Sequence, residues 1–243
     1  MEIGINIMKI VNNITNTEPL ILHAYGASHV GNEWAEMCDN TIGLEIKVPD
    51  EVTIISFFFG DKNFPLKEQL SVLSIPFIDA TENNYFFIWQ DRVKIKLISE
   101  AIKKVKTKYV LVLDGTDVLL GNSVDKIIEK FILFDCKLLY NACVISHALS
   151  FDRASDETKG VGIFNKLNTG AFIGETCFVE EFYKDVMTIY DNVDMPAPHT
   201  DGIRVGLKYK NYSEIKVDYN CEIFQTLLGV KSTFKEGILT ISK

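Results

Sequence analysis

The sequence predicts an α/β fold built on a mostly parallel sheet flanked by helices, and three observations predict it. Tyr109 to Leu113 is an apolar run without polar alternation, so both faces of that strand should be covered. Val52 to Phe59 is a second such run, dense in β-branched and aromatic residues. Around these runs, apolar residues recur at helical spacing in the order strand, helix, strand, the pattern of a parallel sheet.

From the N-terminus, Met1 to Val11 is short and apolar, and Asn12 to Pro19 has the Asn/Thr/Pro composition of a loop. Leu20 to Tyr25 reads as a buried strand that ends in His23 and a glycine turn at Gly26. Glu33 to Cys38 reads as a short helix, and Thr41 to Asp50 as a connector closed by Pro49. After the Val52 strand, Leu66, Leu70 and Leu73 mark a helix over Phe64 to Ser74, with Pro65 acceptable in its first turn. Phe77 to Ala80 is the next strand. Trp89 to Lys106 is a helix with Val93, Leu97, Ala101 and Val105 on one face, and it carries Arg92 and Lys94 near its start.

Beyond the Tyr109 strand, Ser123 to Phe134 is a helix that turns Val124, Ile127, Ile128 and Phe131 inward, and Lys137 to Ile145 is a further strand. Ser146 to Gly162 is a polar segment long enough to cover a site. Leu167 to Gly174 is a turn backed by a buried strand, Val179 to Tyr190 a helix, and Asn192 to His199 a linker into a helix beginning near Thr200 and Asp201. Ile215 to Tyr219 is the last strand before Cys221 to Gln225. No internal repeat or low-complexity tract interrupts this order.

The chain has 243 residues, 47% hydrophobic and 24% charged, enough for one sizeable core. A net charge of −8 argues against a nucleic-acid partner, which needs a basic footprint. Five cysteines without paired short spacing indicate neither a disulfide framework nor a zinc knuckle. There is no signal-peptide pattern and no stretch long enough for a membrane span, so the expected location is cytoplasmic, or else the chain is a domain of a larger protein.

Chemistry concentrates at Asp114-Gly115-Thr116-Asp117, where the Tyr109 strand stops. In parallel sheets ligands sit beyond the carboxyl ends of the strands, and two hard carboxylates on a tight turn suit a divalent cation. The same tetrapeptide is also an ordinary strand-ending turn. It resembles part of the haloacid-dehalogenase phosphatase motif, but Val112 stands where that chemistry needs its nucleophile. A histidine after a strand, as at His23, is by itself more often structural than a ligand.

Four stretches in order, Tyr109 to Leu120, Leu167 to Gly174, Asp201 to Val205 and Val217 to Leu228, resemble the glycosyltransferase domain of the procollagen-lysine hydroxylases. Asp218-Tyr219-Asn220-Cys221-Glu222-Ile223-Phe224-Gln225-Thr226-Leu227 is similar to that family's Asp-His-Lys-x-x-Ile-Phe-Gln-x-Leu. The resemblance implies a GT-A fold with a Rossmann-like nucleotide-binding half, a UDP-sugar donor held through Mn²⁺ or Mg²⁺, and a hydroxylysine or galactosyl-hydroxylysine acceptor. The family's late Pro-x-x-x-His-Gly-Asn-Gly strand is missing downstream. Asn13 to Gly26 at the N-terminus resembles that strand with its preceding linker, which implies a circular permutation.

Carried over on that basis, Asp114, Asp117 and His23 hold the metal. Thr53, Ser56 and Phe57 line the nucleotide, Arg92 or Lys94 assists it, and Thr116 stands where the family places an aromatic residue against the base. Gly26 and His29 fall on the turn after the histidine strand. Asn168 and Gly170 border the sugar, and Asp201 is the acidic residue for sugar hydroxyls or base catalysis. The expected organisation is one domain: 1–48 the permuted strand and linker, 49–134 the nucleotide half, 135–243 the donor-sugar and acceptor half. A homo-oligomer in which His23 reaches a neighbouring subunit is the alternative to the permutation. A non-catalytic domain of the same fold, binding nucleotide-sugar or glycan, is the alternative to an enzyme.

Overall fold

A computed structural model describes residues 8–24, 32–42, 44–59, 64–82, 91–145, 162–189 and 200–243. The first half of the chain runs β1 (Lys9–Asn12), β2 (Ile21–His23), α1 (Asn32–Ile42), β3 (Val52–Phe57), α2 (Pro65–Val72), β4 (Phe77–Asp79), α3 (Asp91–Ile102), β5 (Tyr109–Asp114) and β6 (Val118–Leu120). The second half runs α4 (Val124–Leu133), β7 (Leu138–Cys143), β8 (Lys166–Glu175), α5 (Thr176–Met187), α6 (Thr200–Lys208), β9 (Ile215–Val217), β10 (Phe224–Thr226), β11 (Lys231–Lys235) and β12 (Ile238–Ser242).

The centre is a mixed six-stranded sheet in the order β4, β3, β5, β8, β7, β9, parallel except for β8, which runs against both its neighbours. The absence of alternation in β5 has its expected cause. Val110 and Val112 pack under α3, α5 and α6, while Leu111 and Leu113 pack on the opposite face against Leu66 and Leu70 of α2 and Ile127 and Phe131 of α4. Each such fully buried side chain contributes about 1.5–3 kcal/mol relative to leaving it in water.

Among the described residues, two small sheets accompany the central one. β2 lies between β10, to which it is parallel, and β6, to which it is antiparallel. β1 pairs in parallel with β12, and β12 forms a hairpin with β11 around Glu236 and Gly237, both at positive φ.

Several local expectations are revised. The helix read over Glu33 to Cys38 extends over Asn32–Ile42, with the Thr41 hydroxyl donating to the Cys38 carbonyl in its last turn. Val118 to Leu120 is a strand of its own, and the β11–β12 hairpin was not anticipated. The segments 146–161 and 192–199 lie outside the described residues. Among the described residues, no helix is long and apolar enough to cross a membrane.

Candidate metal centre

The carboxyl end of β5 is shaped by Gly115. A Cβ there would lie 2.2 Å from the Phe57 carbonyl oxygen and 2.5 Å from the Phe58 ring, so only glycine lets the turn pass so close to the end of β3. The turn sets Asp114 at the strand end and Asp117 just before β6. His23 arrives from the other direction. Its strand is registered so that His23 faces Val118 of β6 and Thr226 of β10. Main-chain bonds hold it on both sides: Leu227 N–H donates to the His23 carbonyl at 3.0 Å, and Ala24 N–H to the Asp117 carbonyl at 2.8 Å. Backbone pairing, rather than side-chain flexibility, therefore fixes the imidazole beside the acidic turn.

The ligand atoms of His23, Asp114 and Asp117 all lie within 4.8 Å of one another, with His23 Nε2 3.6 Å from Asp117 Oδ1. Oxygen and imidazole ligands bind divalent ions at about 2.0–2.5 Å, so pairs around one ion stand up to about 4–5 Å apart. The cluster fits a divalent cation by both donor type and spacing. His23 is 1% exposed and the two acids 13% each, which makes this a largely desolvated group.

Lys94 of α3 is 2% exposed and enters the cluster from below, its ammonium 2.7 Å from Asp114 Oδ1 and donating to the Thr169 carbonyl at 2.9 Å. Burial pushes the Asp114 carboxyl up to about 6, with Asp117 adding to the rise, while Lys94 and His23 pull it back down.

The imidazole is supported on its other edge. Asn141 Nδ2 lies 3.3 Å from His23 Nδ1 and 3.4 Å from Asn168 Oδ1, which also accepts the Gly170 N–H at 2.8 Å. The Thr226 hydroxyl lies 3.1 Å from Asn141 Oδ1 and 2.7 Å from the Ala142 carbonyl, either of which can accept its proton. Such partners orient a metal-binding histidine and fix its tautomer. Gly170 is what lets β8 approach the ring: a Cβ there would fall 2.2 Å from His23 Cε1.

Of the residues singled out from sequence, His23, Asp114, Asp117, Lys94, Asn168 and Gly170 come together here. Thr116 is next to them, its hydroxyl donating to Asp117 Oδ1 at 3.5 Å. Phe57 is fully buried, its ring centre 5.9 Å from Lys94 Nζ. Ser56 is also buried and donates to the Leu113 carbonyl, a bond that ties β3 to β5. Thr53 pairs with Thr107 at 2.8 Å near the opposite end of β3. It precedes Phe57 by four strand positions, about 13 Å, and is not drawn into the cluster.

Asp201 and Arg92 lie in the first turns of α6 and α3, with side chains outside the described set, and Gly26 and His29 lie outside the described residues. The start of α6 adjoins β8, since a Cβ on Gly202 would stand 4.0 Å from Thr169 Oγ1. Asn141 and Thr226 were missed. Their signal was a lone amide inside the apolar run Leu138 to Cys143 and a hydroxyl closing Phe224-Gln225-Thr226.

No family model and no curated protein sequence matches the chain. Among solved structures, the crystal structure of mouse xyloside xylosyltransferase 1 in its apo form is similar over 90% of this chain and 84% of that chain, at 10% identity and a TM-score of 0.34.

Proposed function

We propose that the protein is a divalent-metal-dependent glycosyltransferase that moves a sugar, glucose or galactose, from a UDP-sugar to a hydroxyl acceptor. The observation that carries this reading is the cluster of His23, Asp114 and Asp117 at the carboxyl end of a central parallel strand, where such sheets bind ligands. Its support includes the docking of the N-terminal histidine strand beside Phe224–Thr226, the arrangement that a permuted order requires.

In this reading His23, Asp114 and Asp117 would hold Mn²⁺, for which the mixed imidazole and carboxylate set is suited, with Mg²⁺ as the substitute. The bound ion supplies a counter-charge for the departing UDP. Lys94 holds Asp114 in place, and Asn141 holds the imidazole. Asn168 fixes the Gly170 segment of β8 that borders the sugar. Asp201, at the start of the helix beside Thr169, is the acid proposed to receive the acceptor proton or bind sugar hydroxyls. Hydroxylysine or galactosyl-hydroxylysine of a collagen-like protein is the proposed acceptor.

One observation favours a second reading, a domain that binds nucleotide-sugar or glycan without turnover. The ammonium of Lys94 already gives Asp114 an internal cation. UDP release from UDP-glucose and UDP-galactose, measured with Mn²⁺ and hydroxylysine peptides, separates the two. Transfer lost in Asp117→Ala supports the enzyme, whereas UDP binding without transfer or hydrolysis supports the binding domain.

A further inference from the structure

A neutral His23 can give Nε2, the nitrogen 3.6 Å from Asp117 Oδ1, to a cation only when the proton of its ring sits on Nδ1. The polar chain behind the ring holds the opposite arrangement. β7 and β8 slip register between Tyr140 and Asn141, which sets the buried Asn141 opposite Asn168. Asn168 Oδ1 accepts the Gly170 N–H at 2.8 Å, so an oxygen is what Asn168 presents to Asn141. Asn141 meets it with its amide nitrogen, 3.4 Å from that oxygen and 3.3 Å from His23 Nδ1, while its own oxygen takes the Thr226 hydroxyl at 3.1 Å. An amide nitrogen only donates, so Nδ1 accepts, and the proton of a neutral ring then stands on Nε2.

The same atoms support a second arrangement. With the Asn141 amide turned over, its oxygen faces Nδ1 and its nitrogen faces Thr226 Oγ1, whose proton goes instead to the Ala142 carbonyl, 2.7 Å away. Asn168 Oδ1 keeps the Gly170 N–H. The contact given up is the long one between the two amides, at 3.4 Å, where two oxygens would now face each other. That difference favours the first arrangement in the empty site, yet the buried groups of this chain remain paired in both.

We propose that Asn141 selects the tautomer of His23 by taking two positions, with its nitrogen toward the ring when the site is empty and its oxygen toward the ring when a cation occupies Nε2. The inference rests on the reading of His23, Asp114 and Asp117 as a metal site. Asn141 is a positioning residue in this scheme, acting on the cation through the imidazole. The ring stays neutral throughout: the Nε2–H bond breaks and its proton passes to water, water supplies a proton to Nδ1, and the freed Nε2 lone pair goes to the cation.

The test is nitrogen NMR of the full chain carrying isotope-labelled histidine, in mildly alkaline buffer, empty and loaded with Zn²⁺. Zn²⁺ is a diamagnetic probe that suits imidazole and carboxylate ligands. Replacing His29, His147 and His199 in turn assigns the His23 signals. The expected result is a proton on Nε2 in the empty protein and on Nδ1 in the loaded one. Asn141→Asp, which offers the ring only acceptors, should show Nδ1 protonated in both states. Should that variant not fold, the wild-type spectra decide by themselves.

Nδ1 protonated already in the empty wild type overturns the proposal and leaves the metal site standing, with Asn141 a structural support that does not turn. A folded Asn141→Asp whose empty form carries its proton on Nε2 alone also overturns it, since another group then sets the tautomer. Nε2 protonated with Zn²⁺ bound, or no Zn²⁺ binding, removes His23 from the metal reading and this inference with it.

Discussion

Gly170 has no room for a side chain, because the His23 ring lies against its Cα. Gly170→Ala should therefore push the imidazole off the acidic turn. The expected result is Mn²⁺ affinity weakened about tenfold or more, together with a stability loss of about 1–3 kcal/mol from overpacking. Calorimetry and urea unfolding check the two parts. Asp218 gives a second expectation at this scale. Its carboxylate accepts backbone N–H groups from Glu222, Ile223 and Phe224 at 2.9, 2.8 and 3.0 Å, bending the chain into β10. Burial outweighs those bonds and pushes its carboxyl up to about 6 from 3.8. A folded-state value above the unfolded one favours the fold in acid, and this contribution is lost as pH rises from about 4 through about 6, on the order of 3 kcal/mol. Unfolding free energies across that range should fall more steeply for the wild type than for Asp218→Asn, in which the like contribution of Asp114 remains. Equal slopes in the two proteins would refute the assignment.

At the scale of elements, the edge of β6 depends on one side chain from α2. Gln69 donates to the Leu120 carbonyl at 2.7 Å and accepts the Leu120 N–H at 3.0 Å, so a single amide completes the strand's main-chain bonding. Gln69→Leu would leave both backbone groups buried and unsatisfied, a loss of about 2–5 kcal/mol. β6 also pairs with the strand carrying His23. The urea midpoint should fall, and Mn²⁺ binding should weaken with it; a midpoint that does not move would count against this account of the edge.

How far these elements were legible follows from how they are encoded. β3, β5, α2 and α4 announced themselves because their periodicity matches the faces they bury. The direction of β8 did not, since an antiparallel strand buried on both faces reads like a parallel one. The β11–β12 hairpin was passed over because its alternation is carried by few apolar residues, Phe234, Leu239 and Ile241, around a Glu-Gly turn. Asp114 and Asp117 were visible as an abrupt end to an apolar run. Asn141 and Thr226 were not, because one polar residue on a buried strand acquires meaning only when the neighbouring strand is known.

Over the whole molecule, residues 8–24 of the N-terminal segment are bound into the fold. β1 joins β12, Asn12 Nδ2 donates to Gln225 Oε1 at 2.7 Å, and β2 fills the gap between β10 and β6. The chain order can then be altered without altering these contacts. A variant that opens the chain between residues 43 and 44 and joins residue 243 to residue 1 through a flexible linker of about ten residues should fold and retain Mn²⁺ affinity within a few-fold. Circular dichroism and calorimetry would show it, and a permuted chain that folds without binding Mn²⁺ would contradict the docking of β2 as the source of the histidine.

The most direct measurement is calorimetric titration of UDP into the protein with Mn²⁺ and with chelator, repeated on Asp114→Ala and His23→Ala. The account predicts binding that requires the metal and that is lost in both variants, although His23 lies ninety-one positions before Asp114 in the chain. UDP binding that is indifferent to chelator, or unchanged in folded His23→Ala, would contradict the claim that these residues form one metal-nucleotide site.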